Sequence, residues 1–146
     1  MLVELGLVRQ RCRAVLEVYE QEEVISTLWK SGTDFQEGFN ALAPDLAYCV
    51  GFPVHPRIDF LRGDPILTMS LFLQETAARG ILYHPAGLNV SLAHDEDVVK
   101  ETLARTAEAL GVVRLAVEEG EVARHLRGKP MEPALIRAAD AGHGGR

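Results

Sequence analysis

The stretch Gly87–Leu103, "GLNVSLAHDEDVVKETL", decides how this chain is read. Its first half alternates, with Val90 and Leu92 on one face of an extended segment and Asn89, Ser91 and Ala93 on the other, the period-two pattern of a strand. Its second half changes period. Val99, Leu103, Thr106, Leu110, Val113 and Val117 recur at spacings of four and three, which predicts one long amphipathic helix. Asp95 is a capping residue type, and Glu96 and Asp97 place negative charge in the first turn, where the macrodipole favours it. Asn89, Ser91 and His94 are thereby displayed where a strand runs into a helix, and they are the candidate site residues.

Upstream of this junction, Asp64 supplies a cap and Pro65 a first helical position for a helix through Leu67, Leu71 and Ala78 that Gly80 closes. "ILY" after that glycine is predicted as a short strand, to lie beside "NVSLA". Before it, "AYCVGF" and "RIDFL" have strand character and are expected to pair antiparallel across a turn bracketed by Pro53 and Pro56. The chain opens with a stripe at Leu5, Val8, Cys12, Val15 and Tyr19 that predicts a long helix, continuing past Gln21–Glu23 to a stop at Gly32, followed by a short helix from Asp34 to Leu42. Met1 and Leu2 lead straight into the stripe with no capping residue, so a segment upstream is expected to be missing. The order of elements argues for an α+β fold in which helices cover one face of a small, mainly antiparallel sheet, with a long N-terminal helix. We read residues 1–137 as one domain and 138–146 as a flexible Gly-rich tail.

Composition narrows the function classes. At 146 residues, with 47% hydrophobic and 25% charged residues, the chain has the make-up of one globular domain. A net charge of −6 with scattered Lys and Arg gives a polyanion no continuous surface, so no nucleic-acid partner is expected. No apolar run reaches the length of a membrane span and the N-terminus lacks the order of a secretory signal, so a cytoplasmic location away from membranes is expected. Cys12 and Cys49 both lie in apolar patterns and are expected to be buried reduced thiols.

Chemistry of the residue types adds little catalytic power. His55, His84, His94, His125 and His143 show no metal-ligand spacing, so no metal is expected. Ser91, His94 and Asp95 are too close in sequence for a nucleophile, base and orienter, and His94 reads better as a ring that fixes the turn into the helix. A lysine nucleophile needs a site that lowers its pKa, and Lys30, at a predicted helix end, has none.

The succession "GFNALA", "YCVGFPVHPRIDF", "LFLQETAARGILY", "NVSLAHDEDVVKETLARTAEAL" and "VARHLRG" resembles the C-terminal small domain of class III pyridoxal-phosphate (PLP)-dependent aminotransferases, in the branch containing glutamate-1-semialdehyde aminomutase. The resemblance covers roughly Leu7 to Arg137. It implies a small domain of a fold-type-I PLP enzyme that contributes a lid and part of the substrate pocket, with Asn89, Ser91 and His94 as pocket candidates. In that family a large N-terminal domain carries PLP and its lysine, so this chain alone is expected to lack bound cofactor, catalytic residues and activity. The implied partner is that large domain, on the same or a separate chain. The alternative is a stand-alone interaction or oligomerisation module derived from the same fold. The apolar stripe of the opening helix discriminates the two: in an isolated domain one side of so long a helix faces water unless another chain covers it, and a homo-oligomer is expected.

Overall fold

A computed structural model of the chain describes residues 2–132, with side chains from residue 9 onward. The end of the predicted domain and the predicted tail at 138–146 lie outside the described residues. The elements are α1 (Leu2–Gln21), α2 (Val24–Leu42), β1 (Ala47–Phe52), β2 (His55–Phe60), α3 (Pro65–Ala78) and α4 (Glu96–Glu118), followed by a 3-10 turn at Val122–His125. The fold is α+β, with one antiparallel hairpin whose register sets Cys49 opposite Ile58 and Ala47 opposite Phe60. Ala47, Cys49, Pro56 and Ile58 turn inward while Val50, His55 and Arg57 face out, so the helices cover one face of the hairpin.

The core forms where α3 packs between the hairpin and α4. Phe39, Leu46, Leu71, Phe72 and Val113 are fully buried there. Phe72 is its centre: it meets Phe60 edge-on at 5.5 Å, Phe39 edge-on at 6.4 Å, and stacks on Tyr83 at 5.4 Å. The Asp64 carboxylate accepts from the N–H groups of Ile66 and Leu67, both at 2.9 Å, and Asp95 accepts from Val98 N–H at 2.9 Å, so both predicted helix starts form as expected. The outer edge of β1 is closed by a side chain: Cys49 N–H donates to Asn40 Oδ1 at 2.6 Å and Asn40 Nδ2 donates back to Cys49 O at 3.0 Å. A carboxamide on α2 thus stands in for a neighbouring strand.

Several sequence expectations are corrected. The opening helix ends at Gln21 rather than at Gly32, because Glu23 takes a left-handed conformation (φ 46°, ψ 39°) that breaks the ladder. That conformation costs a residue with a Cβ about 1–2 kcal/mol. Gly32 sits inside α2, where its missing side chain allows the helix to touch the hairpin turn: a Cβ there would lie 2.1 Å from the Pro53 carbonyl oxygen. The stripe of α1 buries nothing among the described residues; Cys12, Val15 and Tyr19 are exposed, so Cys12 is not the core thiol expected of it. Cys49 is buried, and desolvation pushes its thiol up to about 12.

The second strand pair does not form. Ile81 is spent on the end of α3, where its N–H donates to Thr76 O at 2.9 Å and Gly80, at φ 81°, donates to Ala77 O at 3.0 Å. The segment after it runs antiparallel along β2, with Leu88 N–H donating to Pro56 O at 2.8 Å and Val90 N–H to Val54 O at 3.2 Å. The first of these bonds cannot be returned, since Pro56 has no N–H to give Leu88. The alternation then ends in a turn, His94 N–H donating to Ser91 O at 3.0 Å, which leaves Leu92 exposed instead of buried. No helix among the described residues is long and apolar enough to cross a membrane.

Candidate functional site

The one-sided segment forms the wall of a cleft of about 340 Å³. Ser31 and Phe35 of α2 and Val98, Val99 and Thr102 of α4 line one side, and residues 80–84 and 87–90, with His94, line the other. Tyr83 anchors the wall to the core: its hydroxyl bonds Thr106 Oγ1 at 2.8 Å, and burial pushes that hydroxyl up to about 12, so it stays neutral. Val99 and Phe35 belong both to the core and to the cleft, which makes the floor rigid and apolar.

Of the three candidate residues, Asn89 and His94 line this cleft and Ser91 does not. Ser91 stands behind His94 and fixes its ring. The Ser91 N–H donates to His94 Nδ1 at 2.9 Å, and the Ser91 hydroxyl lies 2.9 Å from the same nitrogen. A backbone N–H can only donate, so Nδ1 carries the lone pair and the ring proton sits on Nε2. Nδ1 also lies 3.3 Å from Ser91 O, an oxygen that already accepts the His94 N–H. With its lone pair shared by two donors, Nδ1 is not an available base, and Ser91 with His94 is a turn rather than a nucleophile pair.

Two residues outside the candidate set complete the site. His55 Nδ1 lies 2.9 Å from Asn89 Oδ1, a carbonyl oxygen that accepts, so His55 donates and orients the carboxamide. His84 lines the cleft, and its Nδ1 accepts from Ala86 N–H at 3.2 Å. The His55 pairing spans 34 positions and leaves no local signal; the short "HPA" at His84–Ala86 could have been read as a side-chain-to-backbone turn.

The charged groups near the cleft are satisfied elsewhere. Lys30 donates to Asp34 at 2.7 Å, a bond that raises its pKa, and Lys100 donates to Glu96 at 2.6 Å. Lys30 is therefore a protonated surface ammonium, as expected, although it lies inside α2 and not at the helix end that the sequence suggested. Among the described residues no three His, Cys, Asp or Glu side chains gather as a metal site. A second, shallower hollow beside Ser70, Leu73 and Leu126 is where the C-terminal segment is pinned, Arg127 N–H donating to Gln74 Oε1 at 2.7 Å and Met131 N–H to Ser70 Oγ at 2.9 Å.

The same arrangement of elements occurs in a solved structure. The FumI protein of Sphingopyxis sp. MTA144, in its PLP internal aldimine form, matches with a TM-score of 0.62 and 25% identity over 69% of this chain. This chain covers 25% of the FumI chain. No family model and no curated protein matches the sequence. The fold is thus that of one part of a PLP enzyme.

Proposed function

We propose that the chain is the C-terminal small domain of a PLP-dependent aminotransferase or aminomutase of class III, in the glutamate-1-semialdehyde aminomutase-like branch. The observation that carries this is the match of 69% of the chain, at TM-score 0.62, to a quarter of a PLP-containing protein. In this reading the cleft bearing Asn89 and His94 faces substrate, and the chain is inert without a large domain that holds the cofactor.

The described residues do not fit PLP themselves. Of the chain's three lysines, Lys30 and Lys100 are ion-paired at the surface and Lys129 lies by the second hollow, so none reaches the cleft. The first amides of α3 and α4 are taken by Asp64 and Asp95, which places a carboxylate where a phosphate would have to bind. Cofactor chemistry is consequently assigned to the partner domain.

A second reading is favoured by the exposed apolar groups Val15, Leu16, Tyr19, Ile25, Trp29 and Phe52, the last two in edge-on contact at 6.3 Å. There the chain is a self-associating module that covers these groups with a second copy. Affinity capture from the native cells, with intact-mass and absorbance measurement, separates the two readings. A longer PLP-bearing chain containing this sequence, or a co-purifying chain with PLP bound, is expected. Recovery of the 146-residue chain as a homo-oligomer without PLP would favour the module, and a cofactor-dependent visible band from the chain alone, lost in Lys30→Ala, would overturn its inertness.

A further inference from the structure

The opening helix stands off the body of the chain. Among the described residues α1 touches α2 alone, and its apolar side chains Val15, Leu16, Val18 and Tyr19 are 44–63% exposed. Its 20 residues give it a length of about 30 Å. A helix in water draws most of its stability from packing an apolar face, and this one has no such packing within its own chain. The order of its charges says what covers it. From residue 9 to the bend at Glu23 every basic residue precedes every acidic one: Arg9, Arg11 and Arg13, then Glu17, Glu20, Glu22 and Glu23. That order does not serve the lone helix, because Glu20 lies in its last turn, where the macrodipole disfavours negative charge and no basic residue offsets it. Arg13 does donate to Glu17 at 2.9 Å, but both side chains are exposed and such a pair contributes little.

We propose that α1 is a self-pairing arm, which packs antiparallel against α1 of a second copy around a two-fold axis near Val15 and Leu16. The reversal lays the half bearing Arg9, Arg11 and Arg13 along the partner's half bearing Glu17, Glu20 and Glu22, so opposite charges flank the seam on both sides of the axis. It also opposes the two macrodipoles and brings arginines to each acidic C-terminal end. A parallel pair would set arginine against arginine and glutamate against glutamate. Cys12, Val15 and Tyr19, one stripe of the helix, supply the buried seam, with Leu16 beside it. A partner surface of one charge sign would satisfy half of the arm and repel the other half, so the occupant is a second copy of this chain. A two-fold contact of this kind closes on itself and stops at two copies. This deepens the self-association of the second reading and rests on it.

Analytical ultracentrifugation of the 146-residue chain at about 100 μM, where even a weak pairing is populated, is expected to show a dimer. The variants R9E/R11E/R13E and E17R/E20R/E22R each leave one sign of charge along the arm. Each alone is expected to weaken the dimer by at least about tenfold, and their equimolar mixture to restore it, which also shows that both variants fold. Orientation is read by disulfide trapping in a Cys12→Ser background, with Arg9→Cys in one chain and Glu22→Cys in the other; Cys49 is buried and does not compete. Oxidation of the mixed chains is expected to link position 9 of one copy to position 22 of the other in preference to either symmetric product. Predominant symmetric linkage would mean parallel pairing and overturn the proposal, as would a mixture of the charge variants that stays monomeric. A dimer that both charge variants leave intact would place association elsewhere, as on Trp29 and Phe52, and would overturn the arm while the second reading stands. A monomer at that concentration overturns both.

Discussion

Replacing Gly32 by alanine tests the packing that holds the cleft wall in place. In an isolated helix this change stabilises by up to about 1 kcal/mol, because alanine has the better propensity. Here the added Cβ would lie 2.1 Å from the oxygen and 2.5 Å from the carbon of the Pro53 carbonyl, both backbone atoms. To reach an ordinary contact, α2 and the hairpin turn must separate by roughly 1 Å or more, in a region of dense packing. Overpacking of that kind costs about 1–3 kcal/mol, so the steric term exceeds the propensity gain and Gly32→Ala is expected to destabilise the chain. Gly111, on the exposed side of α4 with nothing within 4 Å of its would-be Cβ, is the control, and Gly111→Ala is expected to stabilise by up to about 1 kcal/mol. For a chain of this size each kcal/mol moves Tm by about 2–4 °C, so the two variants are expected on opposite sides of the parent in a thermal melt, and urea midpoints should agree. The turn that Gly32 touches also carries Val54, whose carbonyl accepts from Val90 N–H, so Gly32→Ala should in addition shift the amide resonances of Leu88 to Ser91. If Gly32→Ala raised Tm as much as Gly111→Ala does, the contact between α2 and the hairpin turn would not exist as described.

The thiols should differ in reactivity: Cys12 is exposed and Cys49 is buried with its thiol held near 12, so a thiol reagent at neutral pH is expected to label Cys12 in the native chain and Cys49 only on unfolding. Rapid native labelling of both residues would refute the placement of Cys49. Glu75, nearly buried on α3, receives Arg79 Nη1 at 2.9 Å and Gln74 Nε2 at 3.0 Å, which hold its carboxyl below the usual range. Because the folded-state pKa is the lower one, this contribution is complete above the unfolded value of about 4.3 and is lost as pH falls through the folded value. Glu75→Gln is therefore expected to lower stability near neutral pH and to reduce the acid-side slope, by at most about 1.4 kcal/mol per pH unit; an unchanged slope in urea titrations between neutral and acid pH would refute it.

What could be read from the sequence was what local chemistry sets. Asp64 with Pro65, and Asp95 with Glu96 and Asp97, mark helix starts because the capping groups lie within one turn of the amides they serve. The hairpin was legible as two runs of strand character, "AYCVGF" and "RIDFL", separated by a turn; their register, which sets Cys49 opposite Ile58, was not. Gly32 misled the reading because a glycine that ends a helix and a glycine that admits a neighbouring backbone look the same until Pro53 is placed against it. The stripe of α1 was recognised as a stripe, but periodicity says that a face is apolar and not that this chain covers it. Asn89 and His94 were identifiable as polar groups at a junction. The separate role of Ser91, and the parts of His55 and His84, depend on which nitrogen and which oxygen are already engaged, and that is decided by contacts that spacing does not encode.

The failed strand and the fixed ring tautomers of His84 and His94 have one cause. Had residues 81–92 joined the sheet, alternate amides would have been bound into a ladder and the histidine nitrogens left to solvent. Pro56 cannot return a bond to Leu88, so the pairing along β2 stays one-sided and stops at Val90, and the next amides are free to bend. Ala86 N–H and Ser91 N–H, released from any ladder, find the nearest acceptors, which are the Nδ1 atoms of His84 and His94. Each bond satisfies a backbone donor and at the same time sets a ring tautomer, so the backbone's own need for acceptors leaves the proton of both neutral imidazoles on Nε2. Asn89 completes the set because the side of β2 that stays unpaired by β1 brings His55 alongside it, 2.9 Å from the carboxamide oxygen.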